Sequence, residues 1–166
     1  MEVLLDKGAS IDVATDRNWT ALQEAANGGH IEVVKILLDR GASIDAMTDG
    51  EWPCAYAWTR WTALHRAANR GHVGTVKVLL DRGASINATT DTMSTALHEA
   101  AEGGHIEVVK MLLGGGASIN ARTSANQTAL HRAVGARGGH LEVVKVPAAG
   151  QRCKHRSENF PWAYRA

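Results

Sequence analysis

Cysteine is nearly missing from this chain: Cys54 and Cys153 are the only two in 166 residues. They stand far apart and outside any C-x-x-C spacing, which argues against a disulfide framework or a zinc site and for a reducing, intracellular setting. No apolar run approaches the roughly 20 residues of a membrane span. Met1 to Ser10 lacks the charged-then-apolar leader of a secretory signal. Charge of one sign is also missing, since 18 Lys and Arg face 17 Asp and Glu. Most of the basic excess sits in residues 147–166, where Arg152, Lys154, Arg156 and Arg165 oppose Glu158 alone. The rest is slightly acidic, a poor electrostatic match for nucleic acid. There is no P-loop and no G-x-G-x-x-G; Gly114-Gly115-Gly116 follows an expected helix, whereas a phosphate loop precedes one. No nucleophile–base pair stands out, so neither a catalytic residue nor a cofactor site is assigned.

What the chain has instead is repetition. Gly8-Ala9-Ser10-Ile11 returns at Gly41, Gly83 and Gly116, in steps of 33, 42 and 33 residues. Thr-Ala-Leu starts at Thr20, Thr62, Thr95 and Thr128, in steps of 42, 33 and 33. Two independent markers with one period mean a stacked array whose units bury their apolar faces on one another.

Residues 8–40 show the unit. Thr20 is a helix N-cap and Gln23 completes a capping box. Ala21-Leu22 and Ala25-Ala26 give a short helix with small side chains on one face, and Asn27-Gly28-Gly29 ends it. Ile31 to Asp39 is a second helix, with Ile31, Val34, Leu37 and Leu38 as its buried stripe. Gly41 closes it as a C′ glycine. Asp12 to Trp19 carries turn formers without helical period and is expected to be a hairpin-like loop.

Thr62-Ala63-Leu64-His65, Ala67-Ala68, Gly71-His72, Val76, Leu79-Leu80, Gly83-Ala84 and Asn87 together resemble the ankyrin repeat. The resemblance covers roughly residues 1–146. It implies an all-α solenoid of about four helix-turn-helix units with projecting hairpin loops. The expected divisions are a remnant at 1–7, then 8–40, 41–82, 83–115 and an incomplete 116–146. The family's Pro after the motif Thr is Ala throughout. Its hairpin glycine is replaced by Asn18, Arg60, Met93 and Asn126. Arg and Met tolerate positive φ poorly, so strained or reshaped tips are expected at Arg60 and Met93. Gly74 and Gly114-Gly115 stand where better helix formers belong.

The 42-residue step places nine extra residues within Asp49–Arg60. Two more fall around Gly135–Arg137. Residues 1–7 match only the end of a second helix, and the chain reads as part of a longer array, truncated at both ends. Residues 147–166 lose the pattern as an irregular basic tail. Shifted by one nucleotide from within the Pro147 codon, the degenerate code permits Leu-Leu-Leu-Asp-Arg-Gly-Ala-Ser-Ile, followed by Thr-Ala-Leu at the repeat spacing. The tail is therefore read as a repeat in a displaced frame, from a frameshift or a gene-model error, with a flexible basic tail selected as such as the alternative; sequencing the transcript decides it.

Among candidate chemistry, His65, His98 and His131 hold the motif position and His30, His72, His105 and His140 follow a glycine. Metal ligands must converge at about 2 Å from one ion, whereas repeat-spaced residues lie roughly 8–10 Å apart. These histidines are therefore read as packing residues, the motif His bonding neighbouring backbone as the resemblance implies, and no metal site is assigned. Glu24, Arg66, Glu99 and Arg132 form a column of alternating sign. It is either a self-paired ladder or a mixed-charge floor for a ligand. Asp12, Asp16, Asp45, Asp49, Glu51 and Asp91 make an acidic hairpin rim, for a basic partner or for solubility. Trp52, Tyr56, Trp58 and Trp61 put four of eight aromatics within ten residues. Such residues dominate binding hot spots when exposed, unless they fold back over the hairpins.

The function expected from this reading is a non-catalytic protein-interaction module. Its partner-binding residues would be Trp52, Tyr56, Trp58 and Trp61, then Arg66, Arg70, Glu99 and Glu102. The partner would be a protein, not nucleic acid or membrane. The module would be monomeric when flanking repeats cap it, and cytoplasmic, with the nucleus as alternative. A ligand-free spacer and the substrate-targeting arm of an enzyme outside these residues are the competing readings.

Overall fold

The computed structural model describes residues 4, 6–15, 19–47, 60–136 and 139–145, with only the backbone of Leu141. Within them the chain is helical, with no strand. The first helices of successive units are α1 (Ala21–Asn27), α3 (Ala63–Asn69), α5 (Ala96–Glu102) and α7 (Ala129–Gly135). The second helices are α2 (Ile31–Asp39), α4 (Val73–Asp81), α6 (Ile106–Gly114) and α8 (Leu141–Val144). Contacts run from first helix to first helix and from second to second, as stacking requires.

The first helices start where their sequence caps them. Gln23 N donates to Thr20 Oγ1 at 3.3 Å while Thr20 N donates to Gln23 Oε1 at 3.1 Å. In α3, α5 and α7 a histidine takes the Gln23 position, its ring Nδ1 accepting from the cap N–H at 3.2–3.3 Å. The second helices end in Schellman motifs. Gly41 N bonds Leu38 O at 3.1 Å and Ala42 N bonds Leu37 O at 2.9 Å, with Gly41 at φ 88°. The same pair of bonds closes at Gly83-Ala84 and Gly116-Ala117. A residue with a Cβ would be strained in that left-handed conformation.

The Gly-Ala-Ser-Ile marker thereby acquires a physical meaning. Glycine turns the chain, Ala42, Ala84 and Ala117 are buried, and Ile11, Ile44 and Ile86 pack towards the core. The serine N–H is the next tie. Asp12 accepts from Ser43 N at 3.1 Å, Asp45 from Ser85 N at 3.1 Å, and Asn87 from Ser118 N at 2.8 Å. Two members of the expected acidic rim are thus spent joining one unit to the next. Asp16, Asp49 and Glu51 lie outside the described residues.

The core is one continuous ribbon of Leu22, Leu64 and Leu97 from the first helices, Val34, Val76 and Val109 from the second, and Leu37, Leu79 and Leu112 beside them. Ala26, Ala67, Ala68 and Ala100 have no exposed surface, so their helices approach closely. One expectation fails: Ile31 is 36% exposed rather than part of the buried stripe. It lies over Gly74, where an added Cβ would come within 2.5 Å of Ile31 Cδ1. That glycine makes room for a neighbour's side chain.

The hairpin tips behave as their residues dictate. Met93 sits at φ 57° and Asn126 at φ 60°. The tip at Met93 is therefore strained, and the tip before Arg60 lies outside the described residues.

One buried hydroxyl among the described residues has no partner. Thr75 is fully buried and its Oγ1 makes no hydrogen bond. The equivalent positions hold Val33 and Val108. A buried hydroxyl left unpaired costs about 1–3 kcal/mol. Thr75→Val is expected to raise the unfolding free energy by about 1 kcal/mol, read as a higher urea midpoint at unchanged slope.

Candidate protein-docking face

Five histidines, His65, His72, His98, His105 and His140, each tie one unit to another. His65 Nδ1 accepts from Thr62 N, so its proton sits on Nε2, which donates to Ser94 O at 3.1 Å across the unit boundary. His98 does the same between Thr95 and Gln127 O, at 3.2 Å. In the first unit Gln23 Nε2 reaches both Ala46 O and Trp61 O at 2.8 Å. The motif residue therefore ties its helix to the next hairpin. The second set runs backwards. His72, His105 and His140 place Nε2 at 3.0, 2.8 and 2.9 Å from Asn27 O, Asn69 O and Glu102 O of the preceding first helix. Each ring lies over a glycine of the preceding unit at positive φ: Gly29, Gly71 and Gly104. Burial pushes His65 down to about 4 and lowers His98 as well, so both rings are neutral near pH 7.

On the first-helix face the expected charge ladder does not form. Glu24, Arg66, Glu99 and Arg132 make no ion pair with one another. Arg66, Glu99 and Arg132 are each captured by something nearer. Arg132 pairs with Glu102 instead. Glu99 is buried and accepts from Ser94 Oγ at 2.6 Å and Asn69 Nδ2 at 3.5 Å. Burial raises its carboxyl above the usual range, against those two bonds and the charge of Arg132. Arg70 Nε donates to Asn27 Oδ1 at 3.1 Å.

Arg66 has a different environment. Its guanidinium carbon lies 3.6 Å from the centre of the Trp19 ring and 4.8 Å from that of Trp61. The local reason is the helix start. Trp61 immediately precedes the Thr62 cap and Arg66 is the fourth helical residue, the two positions that meet in a hydrophobic staple. Here the staple is a cation on an indole face. Ser94 and Glu99 occupy the same two positions in the next unit and meet through a hydrogen bond. Trp19 is the corresponding residue of the preceding unit. Stacking of the units brings it onto the same guanidinium.

Of the eight expected binding residues, Trp61, Arg66, Arg70, Glu99 and Glu102 all belong to this face, across two units. Trp61 is half-buried in the staple and is not a projecting anchor. Trp52, Tyr56 and Trp58 lie outside the described residues. Trp19 and Ser94 were missed as members of the site. The signal that could have found them is their spacing, five residues before Glu24 and Glu99 and one before the cap Thr.

A stacked series of capped helix pairs with tied hairpins defines an all-α solenoid. A family model for ankyrin repeats in three copies matches residues 1–90, 54–123 and 89–151. This chain belongs to the ankyrin repeat family, whose members generally act as protein–protein interaction modules and are typically non-catalytic. The comparison with curated proteins gives no match. No helix among the described residues is long and apolar enough to cross a membrane.

Proposed function

We propose that this chain is a non-catalytic protein-interaction module that docks its partner on the first-helix face, around Trp61, Arg66, Arg70, Glu99 and Glu102. The observation that carries this reading is the stack of Arg66 on Trp19 and Trp61, an ordered patch of the residue types that anchor interfaces. The aromatic insertion with Trp52, Tyr56 and Trp58 leads into this patch through Trp61 and is proposed as its extension. A surface held in place beforehand lowers the ordering cost of association. The spacer reading draws on a separate observation: Arg70 with Asn27 and Arg132 with Glu102 are already satisfied within the chain.

The test is a comparison of two double variants. A partner captured by the full chain and identified by cross-linking is titrated against Trp61→Ala/Arg66→Ala and against Lys35→Ala/Lys77→Ala on the second helices. The first pair is expected to weaken binding at least tenfold and the second less than twofold. Equal affinities would place the docking surface elsewhere.

A further inference from the structure

Most arginines among the described residues are answered by an oxygen of the chain. Arg40 meets Asp6 at 2.7 Å, Arg82 meets Asp39 at 2.6 Å, and Arg132 meets Glu102. Arg70 and Arg122 meet the side-chain carbonyls of Asn27 and Asn126. Among the described residues Arg66 has no such partner. Its guanidinium carbon lies over the Trp19 and Trp61 rings, at 3.6 and 4.8 Å from their centres, and these cation–π contacts supply no oxygen acceptor for its N–H donors. Its Nε is buried and unbonded, and the guanidinium makes no hydrogen bond or ion pair among the described residues.

The charges around it leave those donors unanswered. Glu99 is held by Ser94 and Asn69, and Arg70 by Asn27. Glu24 is exposed and outside ion-pair distance, though its charge still favours the cation. Burial lowers Arg66 only to about 10, so it remains charged at neutral pH. A guanidinium in this state has lost much of its water and keeps a rigid planar fork, the geometry that carboxylates fit through two parallel hydrogen bonds. Lysine offers neither the plane nor the fork.

From this geometry we infer that Arg66, clamped by Trp19 and Trp61, is the receptor for a carboxylate side chain on an acidic segment of the protein partner. The inference rests on the proposed docking face and gives it a ligand chemistry. The indoles align the fork and exclude water from its flanks, and the partner supplies the acceptor pair that the chain itself does not.

A displayed library of random dodecapeptides, selected on the full chain and in parallel on Arg66→Lys, tests it. Circular dichroism establishes that the variant is folded. Wild type is expected to enrich peptides with Asp or Glu at one fixed position. Changing that residue to Asn or Gln should weaken the peptide at least tenfold, and Arg66→Lys should weaken the parent peptide by a similar factor. Arg82→Lys, at the end of α4 and outside the docking face, should change it less than twofold. Trp19→Leu, which keeps the charge and removes one clamp, should weaken it several-fold. Enriched peptides without an acidic position, or with one that Arg66→Lys leaves unaffected, would overturn the carboxylate assignment and leave the docking face standing. Failure to enrich any peptide on either chain would overturn both.

Discussion

Leu97→Ala is expected to lower the unfolding free energy by about 3 kcal/mol, within the range of about 2–5 kcal/mol typical of buried leucines. Leu97 is 2% exposed in α5, which packs against α3, α6 and α7. Removing its side chain takes contacts from both sides of a unit boundary at once. The short first helices offer few other large side chains with which to close the gap, since Ala96, Ala100 and Ala101 surround that leucine in sequence. Neighbouring units stabilise one another in such arrays, so the cost falls on the whole described stack. Urea unfolding followed by circular dichroism measures it. Leu130→Ala provides the contrast. Leu130 is 54% exposed, and its truncation should cost less than about 0.5 kcal/mol, as surface substitutions do. A Leu97 loss no larger than the Leu130 loss would contradict the continuous core.

The second large effect is acid destabilisation through the motif histidines. His65 has no exposed surface and is held down to about 4 from an ordinary value of 6.5. Above pH 6.5 it is neutral in both folded and unfolded chains and the fold keeps its full stability. Below that, the unfolded chain takes up a proton that the fold refuses. Stability then falls by about 1.4 kcal/mol per pH unit. The loss continues to about pH 4 and reaches about 3 kcal/mol from His65. His98 is shifted in the same direction and adds to it. Glu99 opposes them. Its folded carboxyl holds a proton more readily than the unfolded one, so its burden on the fold eases as pH falls through the carboxylate range.

The diagnostic variant is His65→Gln. Gln23 already fills this position in the first unit, accepting from Thr20 N and donating to Ala46 O and Trp61 O. Glutamine keeps the two ties and does not titrate. Urea midpoints from pH 7 to pH 4 should therefore fall less steeply for His65→Gln than for wild type. Parallel profiles would mean that His65 takes no part in the acid response.

Much of this molecule was legible in its sequence, for a physical reason. Every local device recurs with the unit. Thr20 with Gln23 caps a helix, Gly41 reverses the chain, and Ala25-Ala26 lets helices approach, all through interactions within a few residues. Repetition then turns a local pattern into an architecture. Ile31 was misplaced because helical periodicity assigns a stripe and does not know that Gly74 of the next unit leaves a surface recess for it.

The candidate site was only half legible. Composition marked Trp61, Arg66, Arg70, Glu99 and Glu102, and alternating charge suggested that neighbours would pair. The pairs that form are different because the shortest path for each side chain depends on rotamer and height above the helix. Glu99 bends to Ser94, Arg132 reaches Glu102, and Arg66 lies on two indoles. The motif histidines lie between the two cases: their recurrence signalled packing, but the direction of each tie is a property of the stack.

The sequence by itself determined the unit, its helix bounds and its tendency to stack, because capping, turning and apolar periodicity are short-range. Tertiary structure alone decided which side chains meet across a boundary. Trp19 and Arg66 stand 47 residues apart in the chain and 3.6 Å apart in space. That juxtaposition follows from how one unit is seated on the next, and no periodicity within a single unit encodes it.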